Sequence, residues 1–274
     1  MISVDARVLA NMQLSGTLWY LELQAAELPE LVVPGQFVQL QLTDDSQHVL
    51  RRPFSVYRIF SDDGAYNRLA LLYQTVGAGT RALCGYGVGT TVNLVGPLGQ
   101  GWRQPVYARR VLLVAGGAGW AALALAAGSF ITFGVETHLL VGARNADYLQ
   151  ALNINGEARP YPLEEYGTPE QDGTIHLHLA TDDGSLGFHG MNTELVPQLL
   201  ENYEFDYIAA CGPEPMMRIV AEAAILRGIV CEVSLERRMA CGMGSCLSCS
   251  VQTAGGRRKV CTDGPVFGAG EVIW

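Results

Sequence analysis

The sequence predicts a chain of mixed β and α/β class in three parts. These are an N-terminal antiparallel β-barrel domain over residues 1–103, an α/β domain on a parallel sheet over 104–228, and a small C-terminal module over 229–274. Three observations carry this reading. Short runs rich in Val, Leu, Tyr and Phe recur through the first part, divided by turn residues. Strands then alternate with helices, which argues for a parallel sheet. The last part holds five of the seven cysteines and little periodic apolar pattern, so it needs a staple to fold.

In the first part, "VDARVLANMQL", "LWYLELQA", "QFVQLQL", "FSVYRIF", "LALLYQTV" and "TVNLVGPL" read as strands, with "PGQ", "DDG" and "GYGVG" as turns. Their even spacing suggests a small barrel or sandwich. After "GPLGQGWRQPVYARR" the texture changes. "RVLLVAG" is a continuous apolar run suited to a parallel strand covered on both faces, and an Ala/Leu helix follows it. Next come "THLLVGA", "IHLHLATDDGS", a helix in "NTELVPQLLEN", the strand "FDYIAACGP" and the helix "EPMMRIVAEAAILRG". Most of the polar stretch from Ala146 to Gly173 reads as a surface excursion.

Composition excludes several classes. A net charge of −9 argues against binding a phosphate backbone, so no nucleic-acid partner is expected. The N-terminus lacks the layout of a secretory signal. An odd number of cysteines, four of them clustered, does not suit a disulfide framework, and a reducing cytoplasm is the expected location. Residues 111–135 carry no charge and are long enough to span a bilayer. Gly116, Gly117 and Gly119 interrupt them after a strand-like run, so a buried strand, turn and helix is preferred and no membrane is expected.

The strongest chemical signal is Cys241, Cys246, Cys249 and Cys261, spaced C-x4-C-x2-C-x11-C. Plant-type 2Fe-2S proteins use C-x4-C-x2-C and a distant fourth cysteine. Gly242, Gly244, Ser245 and Ser248 would let the backbone wrap closely enough to face the sulfides. Structural zinc is the alternative, but it favours paired C-x2-C knuckles, and only one is present. Of the remaining cysteines, Cys84 and Cys231 are expected to be buried small apolar residues.

Other signals are weak singly. "RRPFSVY" at a strand edge offers an arginine, a proline, an aromatic and a serine to a flavin. "VGAGTRAL" is a glycine turn able to face a diphosphate. "LLVAGGAGW" places Gly-Gly-x-Gly between a strand and a helix, a setting suited to a dinucleotide without being the G-x-G-x-x-G fingerprint.

Taken together, the chain resembles the electron-transfer subunit of class 1B dihydroorotate dehydrogenase, in the ferredoxin-reductase superfamily. The resemblance covers nearly the whole length in the same order. It implies an FAD-binding barrel with contacts from Arg52, Pro53, Phe54 and Ser55 of "RRPFS", from Leu72, Tyr73 and Gln74 of "LYQ", and from Gly79 and Thr80. "GPLGQGW" looks like the turn that closes the barrel domain. "TDDGSLGFHG" and "CGPEPMM" are similar to the signatures near the nicotinamide, which would bring Cys211 close to the flavin. Gly116, Gly117 and Gly119 would serve NAD, and "LERRMACGMGSCLSCSV" with "KVCTDGPVF" looks like the cluster loop. The implied chemistry is a relay among NAD(H), FAD and a 2Fe-2S centre. It would serve an FMN-containing catalytic subunit in a heterotetramer, with no catalytic acid or base in this chain. Asp263 and Arg237 are candidates for tuning the cluster. One departure is Trp120-Ala121-Ala122 where relatives continue into Ala-Pro; a tryptophan there is expected to narrow the nucleotide site. The alternatives are a flavin subunit of an NAD(P)H-linked ferredoxin oxidoreductase or sulfide dehydrogenase complex, for which Arg144 would meet a 2′-phosphate, and a non-enzymatic iron–sulfur sensor.

Overall fold

The computed structural model describes residues 1–42, 49–62, 64–103, 105, 107–152 and 175–274. The six expected strands of the first part all form: β1 (Ile2–Ser15), β2 (Leu18–Gln24), β3 (Phe37–Gln41), β4 (Arg52–Asp62), β5 (Ala65–Gln74) and β6 (Thr91–Leu98). They close in the order β1-β2-β5-β4-β3-β6 with antiparallel neighbours, a barrel and not a sandwich. Closure leaves no free edge. Side chains alternate inward and outward: Val92 and Leu94 of β6 are fully buried, as are Leu69 and Leu71 of β5. Between β5 and β6 lies the short helix α1 (Ala78–Leu83).

The second layer is a seven-stranded sheet. Its strands are β7 (Arg110–Gly116), β8 (Glu136–Ala143), β9 (Ile175–Thr181), β10 (Phe188–His189), β11 (Tyr207–Cys211), β12 (Val230–Ser234) and β15 (Val266–Gly268), in the order β10-β9-β8-β7-β11-β12-β15. All neighbours are parallel except β15, which runs antiparallel to β12. The helices are α2 (Trp120–Thr132), α3 (Ala146–Ala151), α4 (Val196–Asn202) and α5 (Glu214–Leu226). A hairpin of β13 (Ser250–Thr253) and β14 (Gly256–Lys259) follows the cysteine loop.

Two details differ from the sequence expectation. The sheet runs past residue 228: β12 and β15 belong to it, so the last part of the chain is sewn into the α/β layer by main-chain pairing. The stretch from Ala146 begins as helix α3, with Asn145 capping it through its side chain and with Leu149 and Leu152 fully buried. Residues 153–173 of the expected excursion lie outside the described residues.

Helix α2 is apolar on every side because it has no solvent face to serve. It packs against β4 of the barrel and against β7, β8 and β11 of the sheet. The uncharged stretch around it is therefore strand β7, a turn and an interior helix, and no helix among the described residues is long and apolar enough to cross a membrane.

The connection after the barrel is pinned at both ends. Trp102 donates its indole Nε1–H to the carbonyl of Ala122 on α2 at 2.7 Å, and its backbone N–H to Pro34 O at 2.9 Å. Gly35 has φ +94°, and a Cβ there would meet the Trp102 ring at 2.8 Å. Next in line, Arg103 pairs with the buried Glu232 of β12 at 3.0 Å, and Tyr207 donates its hydroxyl to the same carboxylate at 2.6 Å. Replacing Trp102 by alanine should cost about 3–5 kcal/mol, read as a lower denaturant midpoint. Trp102→Phe, which keeps most of the packing and removes the indole hydrogen bond to a carbonyl already bonded within the helix, should cost about 0.5–1.5 kcal/mol.

Candidate functional site

A cavity of about 840 Å³ opens between the barrel and the sheet layer. Its barrel wall is Arg52, Pro53, Phe54 and Ser55 of β4, with Leu72, Tyr73 and Gln74 of β5 and Thr80 of α1. Ala118 comes from the turn after β7 and Ala121 from the first turn of α2. The opposite wall is the run Ser234, Leu235, Glu236, Arg237, Arg238 and Met239, which leaves β12 and leads into the cysteine loop.

Each barrel residue is held by local structure. Tyr73 gives its hydroxyl to Asn11 at 2.9 Å and packs between Trp19 and Phe54, with ring centroids 6.1 and 5.8 Å away. The Thr80 hydroxyl accepts the backbone N–H groups of Val76 and Gly77 at 3.0 and 3.2 Å, folding the turn that opens α1. Gly79 is there for space: a Cβ would lie 2.5 Å from the Arg52 guanidinium. Its bareness lets that cation rest against the turn. Gln74 donates to the Tyr148 hydroxyl at 2.7 Å. Tyr148, on the buried start of the expected excursion, was hidden by the polar and Pro/Gly-bearing residues that follow it.

The glycines after β7 work mainly by close approach. A Cβ on Gly119 would strike the carbonyl of Cys211, and one on Gly116 would meet Pro213 at 2.6 Å. Gly212, at φ +158°, would in turn meet Gly116 at 2.9 Å. The two turns at the C-terminal ends of the neighbouring strands β7 and β11 are thus packed backbone to backbone, where ligands of open α/β sheets are held. Only Gly117 needs a left-handed conformation, at φ +53°. Trp120 points into the core and is 3% exposed, so its bulk is spent on packing instead of on the cavity. Cys211 is also buried; burial pushes its thiol pKa up. It touches Ser234, whose side chain lies in the wall, but it is not itself among the cavity residues.

Three of the clustered cysteines, Cys241, Cys246 and Cys249, share one loop, and Cys261 joins them from beyond the β13–β14 hairpin. Cys241 Sγ accepts the backbone N–H groups of Met243 and Cys246, both at 3.4 Å. Cys246 Sγ lies 3.2 Å from Ser248 Oγ, and these contacts lower its thiol to a pKa of about 6. Cys261 is in contact with Cys249 and close to Cys241, and burial followed by the Cys249 thiol raises it to about 11. The loop depends on left-handed backbone: Gly242 has φ +70°, Gly244 +85° and Leu247 +60°. A Cβ on Gly242 would lie 2.7 Å from the Gln39 side chain of β3, so the loop is seated directly on the barrel. Asp263 accepts the Lys259 N–H at 2.8 Å beneath the loop, while Arg237 pairs with Glu214 at 3.0 Å.

These features fit the expected groups. Four converging sulfurs, two of them already receiving or facing donors, form a thiolate cage of the kind a 2Fe-2S centre takes. A long cavity with a fixed guanidinium beside a bare glycine suits a flavin with phosphates. Cys84 is half-buried and Cys231 buried, outside both constellations.

Comparison with known proteins agrees with the geometry. Residues 236–273 match the iron–sulfur cluster binding domain of dihydroorotate dehydrogenase B. The electron transfer subunit of dihydroorotate dehydrogenase B (NAD(+)) from Desulforamulus reducens is 33% identical over 98% of both chains. Its counterpart from Bacillus caldolyticus is 34% identical over the full length of both. Among solved structures, an NADH-dependent reduced ferredoxin-NADP oxidoreductase superposes with a TM-score of 0.82 at 28% identity, covering 98% of this chain and 90% of that one. The cytochrome b5 reductase domain of Ulva prolifera nitrate reductase, at 16% identity and a TM-score of 0.62 over 83% of this chain and 94% of its own, shares the fold. A third of the residues held in common from end to end, around a barrel, a parallel sheet and a cluster of four cysteines, places the chain in the family of dihydroorotate dehydrogenase B electron transfer subunits.

Proposed function

We propose that this chain carries electrons between NAD(H) and a separate FMN-containing dihydroorotate dehydrogenase catalytic subunit, in a cytoplasmic heterotetramer of the two. FAD would be held chiefly by residues 1–103, NAD by 104–228 and the 2Fe-2S cluster by 229–274, with β12 shared between the last two. When bound, the nicotinamide exchanges a hydride with the flavin, and the flavin converts that pair into single electrons for the cluster. The observation that carries the reading is continuity: the wall of the cavity and the cluster loop are one segment, Ser234 to Cys249.

The chain's own residues have defined work in this scheme. Arg52 faces the flavin phosphates, with Gly79 leaving it room. Pro53, Phe54 and Ser55 shape one side of the cavity, and Leu72 to Gln74 the adjoining strand edge. Gly116, Gly117 and Gly119 form the turn that NAD would meet, packed against the backbone of Cys211 and Gly212. Cys241, Cys246, Cys249 and Cys261 ligate iron. Beside these ligands Met243 and Leu247 are exposed apolar side chains, and we read them as the seat of the catalytic subunit.

The solved oxidoreductase at 28% identity supports a second reading, a flavin subunit of an NADP-linked complex. A preference for NADPH over NADH as reductant would select it. Co-purification of an FMN subunit that oxidises dihydroorotate selects the first; a tagged chain that captures no such subunit from its native cells overturns it.

Three substitutions probe the parts separately. Cys246→Ser should abolish iron and acid-labile sulfide while leaving most of the FAD, measured by metal analysis and flavin extraction. Arg52→Ala removes a charge-assisted contact of about 1.5–3 kcal/mol and should weaken FAD retention roughly 10- to 100-fold, with iron content unchanged. Leu247→Asp places a charge on the apolar rim at a backbone angle that aspartate tolerates. It should release the catalytic subunit on size exclusion while both cofactors stay bound.

A further inference from the structure

At the opposite end of the sheet from the glycine turns, β8 and β9 bring together a carboxylate and three imidazoles. Parallel pairing sets His138 beside His176, and Leu140 beside His178. Glu136, at the start of β8, directs Oε1 to His138 Nε2 at 3.1 Å and to His176 Nε2 at 3.4 Å. Its other oxygen, Oε2, is taken by Arg110 of β7 at 2.7 Å. His138 is wholly buried, with Tyr203 and Phe205 packed edge-on at 4.3 and 5.0 Å between ring centroids. His176 is stacked on it with centroids 4.3 Å apart. The second nitrogen of His138, Nδ1, lies 3.0 Å from His178 Nε2.

We propose that Glu136, His138 and His176 form a binding site for a divalent transition metal of the zinc kind. The donor set is two imidazoles and a carboxylate, which zinc accepts with a water in the fourth place. The spacing is also right. Zinc bonds of about 2.0–2.1 Å arranged tetrahedrally put neighbouring ligand atoms about 3.3–3.4 Å apart. Glu136 Oε1 stands 3.1 and 3.4 Å from the two nitrogens, and the three ligand atoms lie within 4.8 Å of one another.

The groups around the ligands agree with this use. A metal-bound histidine is normally held by a partner on its other nitrogen, and His178 provides one for His138. Arg110 engages the oxygen that a metal would leave, and so fixes the carboxylate's orientation. In the metal-free network each ring presents Nε2–H to the carboxylate; with metal on Nε2, the proton resides on Nδ1. The side chains of His176 and Glu136 are 35% and 27% exposed, which leaves an entry path and room for water.

The position sets the role. The site lies at the N-terminal ends of β8 and β9, away from the C-terminal ends where the glycine turns lie. It would staple three adjacent strands, β7 through Arg110 and β8 and β9 through the ligands, with no part in electron transfer.

The test uses the intact flavin and iron–sulfur protein, freed of loose metal by brief chelation and checked for unchanged visible absorbance. Equilibrium dialysis against zinc chloride should load one zinc per chain and raise the thermal midpoint, without loss of iron. His176→Gln and Glu136→Gln should each weaken zinc at least tenfold, and His178→Gln roughly 10- to 100-fold through the outer partner. His176 is partly exposed, so its variant should fold and retain flavin, and it decides the matter if Glu136→Gln does not. No zinc bound at tens of micromolar, or zinc retained undiminished by His176→Gln, would overturn the proposal.

Discussion

A single residue, Ala240, separates Met239, in the wall of the cavity, from Cys241, the first cluster thiol. Consecutive Cα atoms are 3.8 Å apart, so these two positions lie within about 7.6 Å of each other however the chain bends. That covalent tether is the constraint on which the rest of the structure depends. It obliges a group seated against the Met239 end of the cavity to sit close to a group held by the loop. The seat is enforced from the other side too, because Gly242 rests directly on Gln39 of the barrel. A side chain at 242 would push the loop off β3 and open the wall with it.

Keeping a cavity between two layers requires that the layers not slide. Helix α2 fills the gap with an all-apolar surface, the Trp102 indole bonds to its backbone, and Glu232 gathers Arg103 and Tyr207 at the far edge. Burying a carboxylate is costly unless it is paired and hydrogen-bonded, and here a guanidinium, a backbone N–H and a phenol share it. The pairing of β12 with β11 and of β15 with β12 then joins the cysteine-bearing part to the same sheet. Cavity, sheet and cluster loop form one mechanical unit.

Much of this was legible in the sequence because its signals are local. Six alternating strands and the apolar β7 each announce themselves within a dozen or so residues, and the four cysteines within 21. What stayed hidden depends on partners distant in the chain. Leu235 to Met239 read in the sequence only as the lead-in to the cluster loop; they become a wall of the cavity because β12 docks beside β11. Gly116 and Gly119 looked like a phosphate turn, yet their immediate steric reason is the backbone of Cys211 and Gly212. Trp120 looked like an obstruction, but the adjacent helix turns it into the core. The histidines of β9 sit among leucines in an ordinary strand pattern, and only parallel register with β8 sets them beside Glu136. Tyr148 was masked by the polar stretch that follows it.

The central claim is that cavity and loop form one electron path, and an anaerobic titration of the isolated chain with NADH tests it most directly. Flavin absorbance and the paramagnetic signal of the reduced cluster would be followed together. The account predicts that NADH bleaches the flavin and that the cluster signal rises with it, at two irons and two sulfides per chain. Flavin that NADH leaves oxidised, or a cluster reduced only by dithionite while the flavin is already reduced, would contradict it.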